Sequence, residues 1–292
     1  NDLSEGAIRQ LKKNVKGGHY LCIQDTTEIN FTSHMGRIGR EDSDIGPLEG
    51  REKANSGFFC HPVLVIDPTI DMPVGFASMI LWNRSWDEAN KYEREYKNLD
   101  ITEKESYRWI TSAIKTKEVL SEADSMTIIG DRESDIYEVF AMVPDNKTHL
   151  LVRARTDRGL SEGIKLNKKI SSSRVRSIYE FDVSKGKNRT KHTAKMALKW
   201  EKVKIGHPSR KPMKGGSTDY IDLTVIEVRE LPESVKQGED PISWTLLTTH
   251  KVRNAADALR YVGWYSQRWL VEELFHLLKT KPRIVTDLGL LL

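Results

Sequence analysis

Cysteine is nearly absent: two in 292 residues are too few for a disulfide scaffold, and Cys22 and Cys60 lack the spacing of zinc ligands. Both fall in apolar, strand-like runs, where buried thiols of a reducing compartment are expected. No stretch of about eighteen apolar residues occurs, which leaves no candidate for a membrane-spanning helix. No charged region followed by an apolar one marks secretion. The cytoplasm is therefore the expected location. An internal repeat is also lacking. The chain begins with Asn1 rather than Met, as a piece of a longer reading frame would.

What is present suffices for a core, since 38% of the residues are apolar. The net charge is a mild +4, but from Lys165 to Gly215 sixteen Lys or Arg stand against Glu180, Asp182 and Glu201. That segment carries +13 and leaves −9 to the remainder. Such asymmetry points to a polyanion-facing segment on an otherwise acidic body, or to a soluble loop decorated with lysine.

Periodicity divides the chain further. Residues 1–18 are polar, end in Gly17-Gly18, and read as an N-terminal stub or connector. Runs at 19–24, 26–32, 58–66 and 74–82 read as strands, expected to form an antiparallel meander. Between them, the Gly-rich stretch 36–57 reads as a surface loop. Helical spacing follows at 103–120, a buried strand at 125–130, a helix over 132–140 and a strand at 150–154. Residues 155–242 are basic and rich in Ser, Gly and Thr, with alternating runs such as 220–228, and read as a β-rich insertion. The core resumes with a strand at 244–249, and Asn254 with Asp257 resembles a helix cap. One long helix is expected to run from there to Pro282. The expected organisation is a core of 19–154 and 243–281, an insertion at 155–242 and a tail at 282–292.

On that last helix Leu270, Val271, Leu274, Phe275, Leu277 and Leu278 form one apolar arc. Beside it Tyr265, Arg268, Glu272 and Lys279 stand three, four and seven residues apart, within about 60° of one another on a continuous helix. An exposed Arg268–Glu272 pair would contribute only ~0.3–0.5 kcal/mol, and Arg before Glu is the less favourable order. Trp264 and Trp269 flank a face that should otherwise be merely wet. Asp25 and Asp131 each end an apolar strand, where an Asp commonly serves a turn or a cap. If the two strands are adjacent and Glu272 joins their ends, three carboxylates meet. A single like-charged pair at 4 Å costs ~4 kcal/mol at an effective dielectric of 20, so such a cluster calls for protons or a divalent cation. Mg²⁺ suits all-oxygen sites, and two ions would serve an in-line phosphodiester displacement.

These residues resemble the IS4 family of DDE transposases. Asp25 in Gln-Asp-Thr-Thr is similar to the first acid of the family, and Asp131 in Gly-Asp-Arg-Glu-Ser-Asp-Ile-Tyr to the second. Tyr265, Arg268, Glu272 and Lys279 match the Tyr-x2-Arg-x3-Glu-x6-Lys signature at every spacing. The resemblance implies an α/β, RNase H-like mixed sheet flanked by helices, with the β-rich insertion before the last catalytic helix. It implies that Asp25, Asp131 and Glu272 are the catalytic acids and hold two Mg²⁺ ions, with Mn²⁺ as a substitute. Tyr265, Arg268 and Lys279 would grip DNA phosphates, and Trp244 would either stack on a flipped base or belong to the core. His61 and Arg153 or Arg155 are further candidates to line the site. The implied activity is cut-and-paste transposition, with hydrolysis and strand transfer at transposon ends, target DNA as partner, and a bacterial cytosol or nucleoid as location. A homodimer is expected of the full-length family. The family carries a DNA-recognition region before the first acid and a dimerisation region after the Lys, whereas this sequence has a short stub and thirteen residues there. Its tail also departs from the Gly-Cys expected after Thr280.

Two rival readings use the same residues. A truncated or domesticated DNA-binding remnant without turnover would keep the basic segment and show steep salt dependence. A two-carboxylate glycosidase would need only two of the acids and leaves Arg268 and Lys279 without a role.

Overall fold

The computed structural model describes residues 2–34, 44–48, 55–86, 99–186, 189–206 and 220–280. The chain forms two compact units, Asn1–Ile128 with Arg268–Leu292, and Ile129–Gln267. The fold class is α/β, a mixed sheet flanked by helices, as expected. No helix among the described residues is long and apolar enough to cross a membrane.

The first unit opens with helix α1, Asp2–Asn14. Within the expected connector, Leu11 on the helix and Val15 just past its end stand four residues apart and are both buried. Each such burial contributes about 1.5–3 kcal/mol, enough to dock an otherwise polar helix. Gly17 and Gly18 then turn the chain with φ of 61° and 71°, which glycine adopts without strain. Their backbone groups bond to Glu122, Asp124 and Ser125. Strands β1, His19–Gln24, and β6, Ser125–Gly130, therefore begin side by side, and the His19 ring bonds to the hydroxyls of both Ser125 and Thr127.

The expected meander is corrected. Strand β2, Thr27–Asn30, does not turn back on β1. Both instead lie end to end along the twelve-residue strand β4, Ser56–Asp67, with Leu21–Gln24 opposite Val63–Ile66 and Thr27–Asn30 opposite Gly57–Cys60. At the junction the register sets Asp25 against Pro62, which has no N–H to give a neighbour. The ladder is interrupted there, and Asp25 and Thr26 leave it. Gly57 is required at the other end, because a Cβ would lie 1.9 Å from the Ile29 carbonyl oxygen. The short β3, Gly46–Pro47, and the long β5, Met72–Trp82, pair with β4 as well. Helix α2, Arg108–Val119, packs with α1 on β5 and buries Trp109, Ile110 and Ala113. The expected start at 103 is taken instead by two short 3-10 turns. Cys22 and Cys60 are free and buried, and burial raises both thiols, that of Cys60 to about 12.

In the second unit, α3, Tyr137–Met142, and β7, Thr148–Arg153, are followed by α4, Leu166–Ser172. Strands β8, Ser177–Val183, β9, His192–Gly206, β10, Tyr220–Glu230, and β11, Ser243–Thr248, complete it. They pair antiparallel in the order β7-β11-β10-β9-β8. The long β9 buries Ala194, Met196 and Leu198 but exposes Lys195, Lys202 and Lys204, the alternation of a sheet with one wet face.

The expected single last helix is two. Helix α5, Ala255–Ser266, ends with Gln267, and α6, Trp269–Thr280, begins after Arg268. The Ser266 hydroxyl donates to the Gly263 carbonyl and the Gln267 N–H closes on Trp264, tightening the final turn. An apolar pattern that continues across a break reads as one helix. The tail 282–292 and most of the stretch 36–57 lie outside the described residues.

Candidate active site

Asp25 stands where the ladder stops. Its Oδ1 accepts the Thr26 N–H at 2.7 Å, and its Oδ2 accepts Nη1 of Arg268 at 2.8 Å. The other guanidinium nitrogen, Nη2, donates to Oε1 of Glu272. One guanidinium therefore joins two of the three acids. Asp25 and Arg268 are mostly shielded, with side chains 16% and 19% exposed, whereas Glu272 is 56% exposed. Hence the Asp25 side of the bridge is the stronger half, and the Glu272 side is a pair of the weak exposed kind.

Behind Asp25 lies a closed ring of hydrogen bonds. Arg108 Nε donates to the Thr26 hydroxyl at 3.0 Å, and that hydroxyl lies 2.8 Å from Nδ1 of His61. Nε2 of His61 lies 3.2 Å from the Ser112 hydroxyl, which donates to the Arg108 carbonyl at 2.7 Å. An Arg side chain only donates and a carbonyl only accepts, so Arg108 fixes the two ends of the ring, while His61 also bonds to the Asp25 backbone and its tautomer sets the direction of the two contacts in between. His61 is fully buried, and desolvation, reinforced by the Arg108 charge, lowers its pKa to about 3. It is neutral at physiological pH and supports the Asp25 turn instead of lining the site.

Asp131 follows β6 directly and caps the short 3-10 turn Arg132–Ser134, its Oδ1 accepting the Glu133 N–H at 2.8 Å and its carbonyl the Ser134 hydroxyl. Four residues on, Asp135 is buried and accepts from Arg155 N, Thr156 N and, through Oδ1, Nε and Nη2 of Arg158. The Arg158 side chain is 8% exposed, so this is a buried, fully hydrogen-bonded ion pair. Sequence spacing alone does not reveal it. Its signal was a second acid inside the Asp131 motif together with the arginines at 155 and 158, but nothing in the spacing pairs them.

Trp244 and Tyr265 meet edge to face with centroids 5.5 Å apart, and Tyr265 is buried. The ridge expected on one continuous helix is thus divided, with Tyr265 on α5, Arg268 in the turn, and Glu272 and Lys279 on the exposed face of α6. Lys279 closes the last turn of α6, where a cation complements the helix dipole.

Carboxylate oxygens are hard donors that suit Mg²⁺ or Mn²⁺, and the convergence of Asp25 and Glu272 on one cation fits such a group. Among the described residues no group of three or more His, Cys, Asp or Glu is gathered closely enough to hold a metal ion.

A model of the family described as "Transposase DDE domain" matches residues 111–285, more than half of the chain. The match contains Asp131, Trp244, Tyr265, Arg268, Glu272 and Lys279 and begins after Asp25. Among solved structures, the chain is similar to a piggyBac transposase synaptic complex with hairpin DNA, at a TM-score of 0.41 and 10% identity over 91% of this chain. The similarity covers 42% of that chain's length.

Proposed function

Because the chain belongs to the transposase DDE domain family, we propose that it is the catalytic core of an IS4-type DNA transposase that cuts and joins phosphodiester bonds at transposon ends. The supporting observation is the guanidinium of Arg268 shared by Asp25 and Glu272, two carboxylates held together by one positive charge. In this reading Asp25, Asp131 and Glu272 hold two Mg²⁺ or Mn²⁺ ions. When bound, divalent ions polarise a phosphoryl oxygen and lower the pKa of an attacking hydroxyl or water.

The chain's own residues supply positioning. The neutral His61 ring fixes the Asp25 turn, and the Asp135–Arg158 pair fixes the turn that follows Asp131. Arg268 releases one carboxylate and offers its planar fork to a phosphate, for which guanidinium geometry is suited. Lys279 adds a point charge beyond Glu272. Trp244, held edge-on by Tyr265, offers a face for a base, and such stacking contributes ~1–3 kcal/mol. The buried Tyr265 acts through Trp244 rather than on a phosphate. Residues 19–154 and 243–281 form the catalytic core in this assignment and 155–242 the basic insertion, acting in a bacterial cytosol as part of a dimer.

The test is cleavage and strand transfer on pre-cut transposon-end DNA with Mg²⁺ or Mn²⁺. Native chain is expected to turn over and Asp131→Ala to lose at least two orders of magnitude. Unchanged activity in Asp131→Ala would overturn the assignment of the acids. Salt-sensitive DNA binding without cleavage under either metal would instead identify a binding remnant.

A further inference from the structure

A second basic site lies within the unit Ile129–Gln267. From Trp244 the chain follows β11 to Thr248, about 13 Å at ~3.3 Å per residue, and bends at Thr249 and His250. A cavity of about 290 Å³ opens at that far end, walled by the rings of His149, His250 and Tyr261 and rimmed by Lys251, Arg253 and Arg260.

The wall is built rather than incidental. His149 stacks on His250 with centroids 4.0 Å apart, His250 on Tyr261 at 4.5 Å, and Trp264 closes edge-on against His250 at 5.6 Å. Hydroxyls lock the strand ends that carry the two histidines. Thr249 accepts Leu150 N at 2.9 Å, Thr248 donates to the Leu150 carbonyl at 2.6 Å, and Thr224 donates to the His250 carbonyl at 3.1 Å.

The rim has a surplus of positive charge. Lys251, Arg253 and Arg260 are exposed, and the carboxylate in the lining, Asp257, is engaged by the Arg253 N–H at 3.1 Å and lies 3.8 Å from Arg260. The volume sits at the small end of ligand pockets, the size of a phosphate with its sugar. Stacked rings make a wall indifferent to base sequence, and two guanidinium forks with one ammonium suit phosphate oxygens.

We propose that this cavity is a second DNA-backbone site, in which Lys251, Arg253 and Arg260 hold phosphodiester oxygens while the stacked rings of His149, His250 and Tyr261 shelter the sugar. It rests on the transposase reading and would grip a strand beyond the far end of β11 from Trp244, the residue proposed to stack on a base.

The experiment measures binding of the full chain to a fluorescein-labelled DNA duplex by anisotropy across a salt series. Each phosphate contact contributes about 0.9 to the slope of log K against log salt. The triple variant Lys251→Ala, Arg253→Ala, Arg260→Ala should flatten that slope by about 2 to 3, and the charge-retaining triple Lys251→Arg, Arg253→Lys, Arg260→Lys should keep it. An unchanged slope in the alanine variant, with native chain binding DNA, would overturn the site and leave the transposase reading standing. Equal flattening in both variants would trace the effect to misfolding and overturn it too. Calorimetric binding of orthophosphate without any change in the DNA slope would mark a free-anion site instead. Absence of salt-dependent DNA binding by native chain would remove both readings together.

Discussion

Asp25 and Asp131 occupy the same place in the sequence pattern, each directly after a six-residue apolar strand, yet the two are supported by opposite means. Behind Asp25 is the Arg108–Thr26–His61–Ser112 ring, centred on a histidine that burial and the Arg108 charge keep neutral. After Asp131 comes a charged device, the buried Asp135–Arg158 pair with its backbone donors. A network centred on a neutral histidine fails when that histidine is forced to take a proton. A buried ion pair fails badly when one partner is removed, because the other is left alone in a low dielectric.

The largest expected effect comes from breaking the charged device. Arg158→Met leaves Asp135 buried without its partner and should lower unfolding free energy by about 3–5 kcal/mol, read from urea denaturation at pH 7. A loss below about 1 kcal/mol would mean that the pair is not buried in solution and would erase the contrast between the two turns.

The neutral device should show itself in acid. His61 has a folded pKa of about 3 against an ordinary value of 6.5, so between these values the unfolded chain binds the extra proton. Stability contributed by His61 is therefore complete above pH 6.5 and is lost as pH falls toward 3. Between pH 6.5 and 4 the loss should reach about 3 kcal/mol and should be absent from the pH profile of His61→Gln relative to native protein. Identical pH profiles would show that the ring titrates with the unfolded chain.

The smallest effect on stability should be at the acid that the two turns are proposed to serve. The Glu272 side of the Arg268 bridge is exposed, so Glu272→Gln should change unfolding free energy by less than about 0.5 kcal/mol while removing strand transfer. A larger destabilisation would make Glu272 a structural partner of Arg268 rather than a ligand.

Much of the frame was legible because it is local. The strands His19–Gln24 and Ser125–Gly130 end where the apolar runs end, and the acids follow them. What escaped is what depends on distant partners. The long β4 serves β1 and β2 end to end, and a strand's span does not reveal how many neighbours share it. The first helix was hidden because its burial rests on Leu11 and, just past its end, Val15, within charged sequence. The break at Gln267 was hidden for the opposite reason, an apolar period that continues through it. At the site, the acids and the signature helix could be named from spacing, but the partners at 61, 108, 112 and 158 are set by packing. Charge counted along the chain also overstated the free basicity of the insertion. Lys199 and Lys204 are met by Glu227 and Asp222 from β10, and Arg176 by Glu201.

The two fixed ends of the ring behind Asp25 also restrict what can happen there. A proton relay needs groups that exchange the roles of donor and acceptor as the proton passes. This ring begins and ends on Arg108, whose side chain cannot accept and whose carbonyl cannot donate. With both ends fixed, the ring gives a proton no way out through Arg108. In the proposed reaction, protons would therefore be exchanged with solvent on the open side of the carboxylates, where Glu272 is 56% exposed.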